Sequence, residues 1–347
     1  IGVTGVQTCA LPICAVMEGA GAISFRRTPT RLAGRFAVSG GALFESLAVE
    51  ITGALEPGAG SLTFFNAQAV VDTGPLVLSS PVILQGNTLE FRKPATLDDL
   101  RWEFGRLLPT ADVVVRRPLV IGSPTVANGA RLGGPGRLRL EQGLDARSSY
   151  LHLESGALLE HAGNTVWMPR VVNAVTTLEI EEQARFLNLP GGRFEIATNG
   201  TISGPGVFEN RGLLIKAAHP RTNALGVSLE NHGRLEIHGG RMRLNREGLL
   251  GGQVAIGDGA VLEVGARQEL TAELTGGGIL QFSGGSNVLA GTLEGPQLSI
   301  NSGSLQVPPD LVLTNITMVG SLLRLTGDLR LRGESNLLTG LAGRVEG

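Results

Sequence analysis

Short runs of alternating apolar and polar residues recur along most of the chain. An alternation with a period of two places successive side chains on opposite faces of a strand, so each run predicts a short β-strand with one buried face. The clearest runs lie at residues 138–140, 151–153, 178–180, 194–196, 213–215, 235–237, 262–264, 280–282, 298–300 and 323–325. Most have glycine, asparagine or proline within a few residues, which indicates tight turns between the strands.

The spacing of these runs indicates a repeat of about twenty residues. Taken as equivalent positions, residues 178, 194, 213, 235, 262, 280 and 298 are separated by steps of 16, 19, 22, 27, 18 and 18. A strand of this length cannot bury its apolar face alone, whereas coils stacked on one another close a continuous core. The sequence therefore predicts an all-β fold, a single-chain parallel β-solenoid of roughly 13–15 coils, with a right-handed β-helix favoured.

Two segments share a sharper motif, Glu-Asn-x-Gly followed by a short apolar strand. Glu209 and Asn210 align with Glu230 and Asn231, which lie 21 positions later. Asparagine tolerates left-handed backbone and glycine supplies a positive φ, so we assign both residue types to turns. An asparagine at the same position of successive coils is also expected to form a hydrogen-bonded ladder.

The segment 96–108, TLDDLRWEFGRLL, carries the best helical spacing in the chain. Five apolar residues between 97 and 108 fit one face of a helix, and Thr96 is a candidate N-cap. The residues 100–102 also alternate, however, and Gly105 interrupts the pattern. We favour a strand and a turn here, with a helix as the alternative.

The segment 276–307, GGGILQFSGGSNVLAGTLEGPQLSINSGSLQV, resembles the glycine-rich repeats of autotransporter passenger domains. The Asn-x-Gly units similarly resemble repeats of filamentous adhesins. The resemblance implies a structural or adhesive region of an exported bacterial protein, either a rigid stalk or a surface-presenting scaffold. It also implies an extracellular or cell-surface location, with surface glycans or proteins of host or neighbouring cells as partners.

The N-terminal segment holds both cysteines of the chain, Cys9 and Cys14. Residues 3–13, VTGVQTCALPI, resemble the conceptual translation of a short-read sequencing adapter. We therefore predict that residues 1–14 are non-native, that residues 15–40 are a flank or incomplete first coils, and that residues 41–347 are the solenoid, a fragment of a larger protein. Without cysteines, the remainder has neither a disulfide framework nor a cysteine zinc site.

Composition narrows the possible partners. The formal net charge is -2, which gives no electrostatic attraction for nucleic acid or an anionic membrane. No apolar run approaches the ~20 residues needed to span a bilayer, so we expect no membrane span. The 51 glycines are about twice the usual share and aromatic residues are only 4%. Together these values favour many tight turns around a narrow aliphatic core.

One polar cluster carries candidate chemistry. Glu230, His232, Arg234, Glu236 and His238 are all even-numbered, so on a single strand they would share one face. A glutamate and a histidine two residues apart can bind a metal or shuttle a proton. The alternative, which we favour, is a solvated outer face of one coil. We therefore assign no catalytic, cofactor-binding or metal-binding residue, and no cofactor.

A carbohydrate-active enzyme, either a polysaccharide lyase or a hydrolase, is the alternative function. Pectin-degrading hydrolases with this fold combine an Asn-x-Asp, an Asp-Asp, a Gly-His-Gly and an Arg-x-Lys in that order. Here Asp98–Asp99 is the sole aspartate doublet, His232 lacks the preceding glycine, and Lys216 comes before the histidine. An enzyme is still expected to show a groove along one sheet, where two acids and an arginine or lysine project from neighbouring coils.

Overall fold

The computed structural model describes residues 16–122, 129–146, 150–168, 176–197 and 200–307, residue 309, and six short strands beyond it. All secondary structure in these residues is β, and the strands are parallel and stack about 20 residues apart in a β-solenoid of about 14 turns. The predicted fold class is confirmed. The segment 1–14, predicted to be non-native, lies outside the described residues.

The chain divides into two compact units. Unit 1 comprises Ile1–Thr165, Pro169–Ala174 and Glu181–Phe186, and unit 2 comprises Val166–Met168, Val175–Ile180 and Leu187–Gly347. Strands Asn164–Trp167 and Arg185–Asn188 cross the boundary between the two units.

Each coil of unit 1 contributes short strands to three parallel ladders. The first ladder comprises Ile23–Arg26, Ala42–Glu45, Leu62–Phe65, Leu119–Ile121 and Leu144–Ala146. The second comprises Thr30–Leu32, Val49–Ile51, Gln68–Val71, Ala130–Leu132 and Tyr150–Leu153. The third comprises Met17–Gly19, Phe36–Val38, Leu76–Leu78, Ala95–Leu97, Val113–Val115, Arg137–Leu140 and Leu158–His161. Two long strands, Val82–Phe91 and Leu100–Pro109, belong to both the first and the second ladder.

Unit 2 repeats the same three-ladder pattern. Its first ladder comprises Arg193–Ile196, Leu213–Lys216, Arg234–Ile237, Gln253–Ile256, Glu273–Thr275 and Thr292–Glu294, and Val312–Thr314 pairs with Arg330–Arg332. The second comprises Thr176–Ile180, Arg241–Leu244, Val261–Val264, Thr317–Val319 and Leu337–Thr339. The third comprises Gly248–Leu250, Gln268–Leu270, Leu322–Leu325 and Arg344–Glu346. Four long strands join the second and third ladders: Gly200–Asn210, Thr222–Asn231, Ile279–Leu289 and Gln297–Val307.

The segment 96–108 forms strands rather than a helix, as the favoured interpretation predicts. Strand Ala95–Leu97 is followed by a turn at Asp98 and Asp99 and then by strand Leu100–Pro109. Farther upstream, strand Ile23–Arg26 of the segment 15–40 already pairs in parallel with Ala42–Glu45 of the next coil.

The repeat predicted from the sequence is real, but the seven positions taken as equivalent do not lie in one ladder. Residues 178, 262, 280 and 298 lie on the second ladder of unit 2, whereas residues 194, 213 and 235 lie on the first. The steps of 16 and 27 residues therefore cross from one ladder to another. Every ladder has the same alternation of apolar and polar residues, so the pattern alone does not identify the ladder.

True register partners on successive coils are 18 to 25 positions apart. The shortest step joins Leu262 to Leu280, and the longest joins Val113 to Leu138. The length of a coil therefore varies in its turns and loops, while the strands keep their register.

The core consists of columns of stacked, inward-facing side chains. In unit 2, Leu262, Leu280 and Leu298 lie directly above one another and are all fully buried. In unit 1, a phenylalanine column has ring centroids 5.2 Å apart between Phe25 and Phe44 and 5.1 Å apart between Phe44 and Phe64. Such columns link each coil to the next by apolar burial as well as by backbone hydrogen bonds.

A buried asparagine ladder follows one corner of unit 2. Asn188 Nδ2 donates to Asn210 Oδ1 at 2.7 Å, and Asn210 Nδ2 donates to Asn231 Oδ1 at 2.6 Å. The ladder ends where Asn231 Nδ2 donates to the Gly251 carbonyl at 2.6 Å, and all three asparagine side chains are fully buried. The predicted ladder is confirmed, with Asn188 as a member that the Glu-Asn-x-Gly motif does not reveal.

The glycines of the two Glu-Asn-x-Gly motifs are required for a reason other than the predicted positive φ. Neither Gly212 nor Gly233 adopts a positive φ. Instead, a Cβ on Gly233 would lie 2.3 Å from the Gly212 carbonyl oxygen, and a Cβ on Gly212 would lie 2.3 Å from that of Gly192. Stacked backbones approach each other too closely here for any side chain.

Gly233→Ala is therefore expected to lower the free energy of unfolding by about 1–3 kcal/mol, because the added methyl group forces the stacked backbones apart. Gly226→Ala is the matched control, since its Cβ would meet nothing closer than 3.5 Å in the same unit. Thermal unfolding followed by circular dichroism measures both effects. Equal unfolding midpoints for the two variants would contradict the steric explanation.

Candidate functional site

The second ladder of unit 1 presents a column of basic side chains. Arg106, Arg131 and His152 occupy directly opposed positions on successive strands. Their neighbours Leu107 and Leu132 point into the core and are fully buried. Because side chains alternate along a strand, the three basic residues point away from that core.

Glu154 connects the two arginines. Its Oε2 atom lies 2.6 Å from Arg106 Nε and 2.5 Å from Arg106 Nη2, and its Oε1 atom lies 3.1 Å from Arg131 Nε. The Glu154 side chain is only 12% exposed, whereas the two arginine side chains are about half exposed. The carboxylate thus holds both guanidinium groups in place, and each keeps N–H donors that face solvent.

Glu181 brings a second carboxylate to the same surface. Its Oε1 atom lies 2.6 Å from Nε2 of the nearly buried His152, and its Oε2 atom accepts a 2.9 Å hydrogen bond from the Ser155 N–H. The Ser155 N–H, followed by His152, holds the pKa of the Glu181 carboxyl below its usual value. Glu181 is therefore held in its ionised form.

These groups line an open groove with a volume of about 650 Å³. We call it the Arg–Glu groove and define it by its lining residues: Asn87, Gly105, Arg106, Arg131, Glu154, Ser155 and Glu181. A second groove of about 390 Å³ lies on earlier coils of the same ladder, around Arg31, Glu50, Gln68 and Arg92. The outer face of this ladder therefore offers concave, polar surfaces along several coils.

The chemistry of the Arg–Glu groove suits a ligand rich in hydroxyl groups. Two arginines balance two carboxylates, so the groove carries no strong net charge that would select an anion or a cation. Arginine donors and carboxylate acceptors side by side match adjacent hydroxyls, which both donate and accept.

The five-residue polar cluster predicted from the sequence is split by a turn. Strand Thr222–Asn231 ends before His232, and strand Arg234–Ile237 begins after Gly233. Glu230 and His232 therefore lie near Glu209 of the preceding coil, with ligand atoms within 4.8 Å of one another. The prediction that all five residues share one face was wrong, because it extended a single strand through this turn.

The other three members of that cluster form a local charge group. Glu236 Oε1 lies 2.6 Å from Arg234 Nε, and Glu236 Oε2 lies 2.8 Å from His238 Nε2. Arg234 and His238 are about half exposed. This group matches the solvated outer face that we favoured.

The residues compared with pectin-degrading hydrolases do not come together as a site. Asp98 pairs with Arg116 at 3.2 Å and Asp99 with Arg101 at 3.6 Å, both at a turn of unit 1. Lys216 belongs to unit 2 and is fully buried.

The environment of Lys216 is apolar except at its tip. Its register partners are Ile196 and Ile237, and its Nζ atom donates to the carbonyls of Ala217 and His219 at 3.1 Å each. Burial lowers the pKa of Lys216 to about 8. Because this lysine is sealed inside the coil, it organises the loop that follows it rather than acting at the surface.

Comparison with protein-family models, with curated proteins and with solved structures finds no match. Among the described residues, no helix is long and apolar enough to cross a membrane. The fold is therefore established by strand geometry, and inferences about function depend on the sites described above.

Sequence reasoning missed the Arg–Glu groove. Its side chains extend from Arg106 to Glu181, and no short motif joins them. One available signal was the repeated placement of a charged residue between two apolar ones, as at Arg131. That signal is shared by many strands in this chain, so only the register identifies which charges meet.

Proposed function

We propose that this chain is a structural and adhesive repeat scaffold of an exported bacterial protein, which binds surface glycans through the Arg–Glu groove. The observation that carries the proposal is the arrangement of Arg106, Arg131 and Glu154 around one concave polar surface on neighbouring coils. A stacked-coil scaffold holds these groups at fixed spacing, so little conformational entropy is lost when a ligand binds.

Charge pairing between coils supports a scaffold role. Arg26 lies directly opposite Glu45, and Arg31 directly opposite Glu50, with nitrogen–oxygen distances of 3.4 Å and 3.3 Å. Each exposed pair contributes at most about 1 kcal/mol, but opposite charges in register disfavour a slipped stack. Export and a bacterial surface location are supported by the resemblance of residues 276–307 to autotransporter passenger repeats.

A carbohydrate-active enzyme is the second candidate, and the same groove favours it. Two acids and two arginines project there from neighbouring coils, which is the arrangement expected of such an enzyme. Hydrolysis by a carboxyl pair also needs one acid that stays protonated, with a raised pKa. The pKa of Glu181 is shifted in the opposite direction, which supports binding over cleavage.

The proposal predicts retention on immobilised bacterial and host polysaccharides without cleavage. Binding is measured by surface plasmon resonance, while reducing ends and unsaturated products are assayed in parallel. Arg106→Ala and Glu154→Gln are expected to weaken binding by about tenfold or more, because each removes a charge-assisted contact of the groove.

Arg26→Ala is the matched control, since Arg26 also pairs with a glutamate of unit 1 but lies outside the groove. Its binding should equal that of the wild type. Products that disappear in the Glu154→Gln variant would establish the enzyme instead. The absence of both binding and products would contradict the adhesive part of the proposal.

A further inference from the structure

We propose that Glu209, Glu230 and His232 form a binding site for a divalent transition-metal ion, with Zn²⁺ as the expected occupant. Among the described residues, this is the one group of at least three histidine, cysteine or acidic residues whose ligand atoms all lie within 4.8 Å of one another. The site lies in unit 2 and does not depend on the function proposed for the groove of unit 1.

The coil register brings the two carboxylates together. Glu209 and Glu230 lie directly opposite each other on strands Gly200–Asn210 and Thr222–Asn231. His232 follows at the turn, where its backbone N–H donates to the Asn210 carbonyl at 2.7 Å. The positions of all three ligands are therefore set by hydrogen bonds between two successive coils.

The geometry suits a small ion at the surface. Zinc bonds carboxylate oxygen and imidazole nitrogen at about 2.0–2.2 Å, so two ligands of one ion lie roughly 3–4 Å apart. Small side-chain rotations bring atoms within 4.8 Å to that separation. Glu209 is buried, Glu230 is half-buried and His232 is exposed, so an ion would bind at the edge of the protein with positions open to water.

The donor set favours zinc over calcium or magnesium. Imidazole nitrogen suits zinc and other late first-row ions, whereas calcium and magnesium prefer an all-oxygen shell. Three protein ligands with an open fourth position are also the arrangement of many non-structural zinc sites.

Electrostatics provides a reason for a cation here. Two carboxylates directly opposite on adjacent parallel strands repel each other. Arg211 Nε lies 2.5 Å from Glu209 Oε1, and the Arg211 side chain is 53% exposed. A divalent ion would bond both carboxylates at once, and the exposed arginine is free to swing into solvent when the ion enters.

The chain contains a matched comparison on the next strand. Glu236 and His238 are also two residues apart and in contact at 2.8 Å, with Arg234 beside them. They belong to no group of three candidate ligands among the described residues. If a glutamate and a histidine were sufficient, both places would bind zinc; the proposal requires the third ligand from Glu209.

The test is isothermal titration of Zn²⁺ into the untagged full chain, with Cys9→Ser and Cys14→Ser in every sample because thiolates bind zinc. One ion per chain is expected. His232→Ala and Glu230→Gln should each weaken binding by about tenfold or more. Arg211→Gln should strengthen it, because the competing cation is removed, and His238→Ala should leave it unchanged.

A second measurement separates binding from a folding defect. Zinc should raise the unfolding midpoint of the wild type and leave that of His232→Ala unmoved, because an ion that binds only the folded state stabilises it. The proposal is overturned if no heat is seen up to about 1 mM zinc. It is equally overturned if His232→Ala binds like the wild type, or if His238→Ala is the variant that loses binding.

Discussion

Asn210→Leu is expected to lower the free energy of unfolding by about 3 kcal/mol, the largest effect of any single substitution considered for this chain. Asn210 is the middle member of the buried ladder: it accepts from Asn188 and donates to Asn231 Oδ1 at 2.6 Å and to the Arg234 carbonyl at 3.0 Å. Leucine has a similar volume but makes none of these bonds, so polar groups on three coils lose a partner away from water.

Urea denaturation followed by far-UV circular dichroism measures this loss. Asn301→Ala is the control, because Asn301 is exposed and should change stability by less than about 0.5 kcal/mol. A further variant, Asn210→Asp, distinguishes lost hydrogen bonds from lost volume. Its carboxyl faces the acceptor atoms of Asn231 and Arg234, so the variant should become less stable as pH rises above about 4. Wild-type stability for Asn210→Leu would show that the ladder contributes no net stability.

Lys216→Met is expected to stabilise the protein near pH 7 by up to about 3 kcal/mol, with the gain shrinking as pH rises from 8 to 10.5. The pKa of the buried lysine is about 8, below its ordinary value of 10.5. Below pH 8 the folded state carries a charge that burial disfavours. Between pH 8 and 10.5 the folded chain has released this proton and the unfolded chain has not, so wild-type stability rises toward that of the variant.

The measurement is the difference in unfolding free energy between wild type and Lys216→Met at pH 7 and pH 10. Taking the difference cancels the titration of all other groups. Lys93 is the chain's other lysine and its side chain is 57% exposed, so Lys93→Met should show no such pH dependence. A difference that stays constant with pH would contradict a lowered pKa, and a loss of stability at pH 7 would show that the two carbonyl contacts outweigh the cost of burial.

The fold class followed from the sequence because its cause is local. Three-residue alternations such as 262–264, separated by glycine, have one way to bury their apolar face, which is to stack on another copy. The strand-and-turn interpretation of 96–108 succeeded for the same reason, since Gly105 and the alternation at 100–102 outweigh helical spacing. Assignment of strands to ladders failed because 194 and 262 have the same local pattern but lie on different ladders.

The candidate sites were harder to predict because they depend on register. Glu209 and Glu230 were aligned correctly through a shared motif, and that alignment placed two of the three proposed metal ligands. His238 was wrongly added because a turn of two residues cannot be located from alternation alone. Arg106 and Glu154 meet only because a 25-residue step separates Arg106 from Arg131, and no local signal gives the length of that step.

The variable coil length has a consequence for how such a protein can change. Residues added to or deleted from a loop leave the inward columns and the strand register intact, so the cost of an insertion is limited to closing a slightly longer loop. The coils that bear the Arg–Glu groove include the 25-residue step from Arg106 to Arg131, whereas the coils from Leu262 to Leu298 repeat every 18 residues. Recognition surfaces can therefore diversify by loop length on a stack that stays the same.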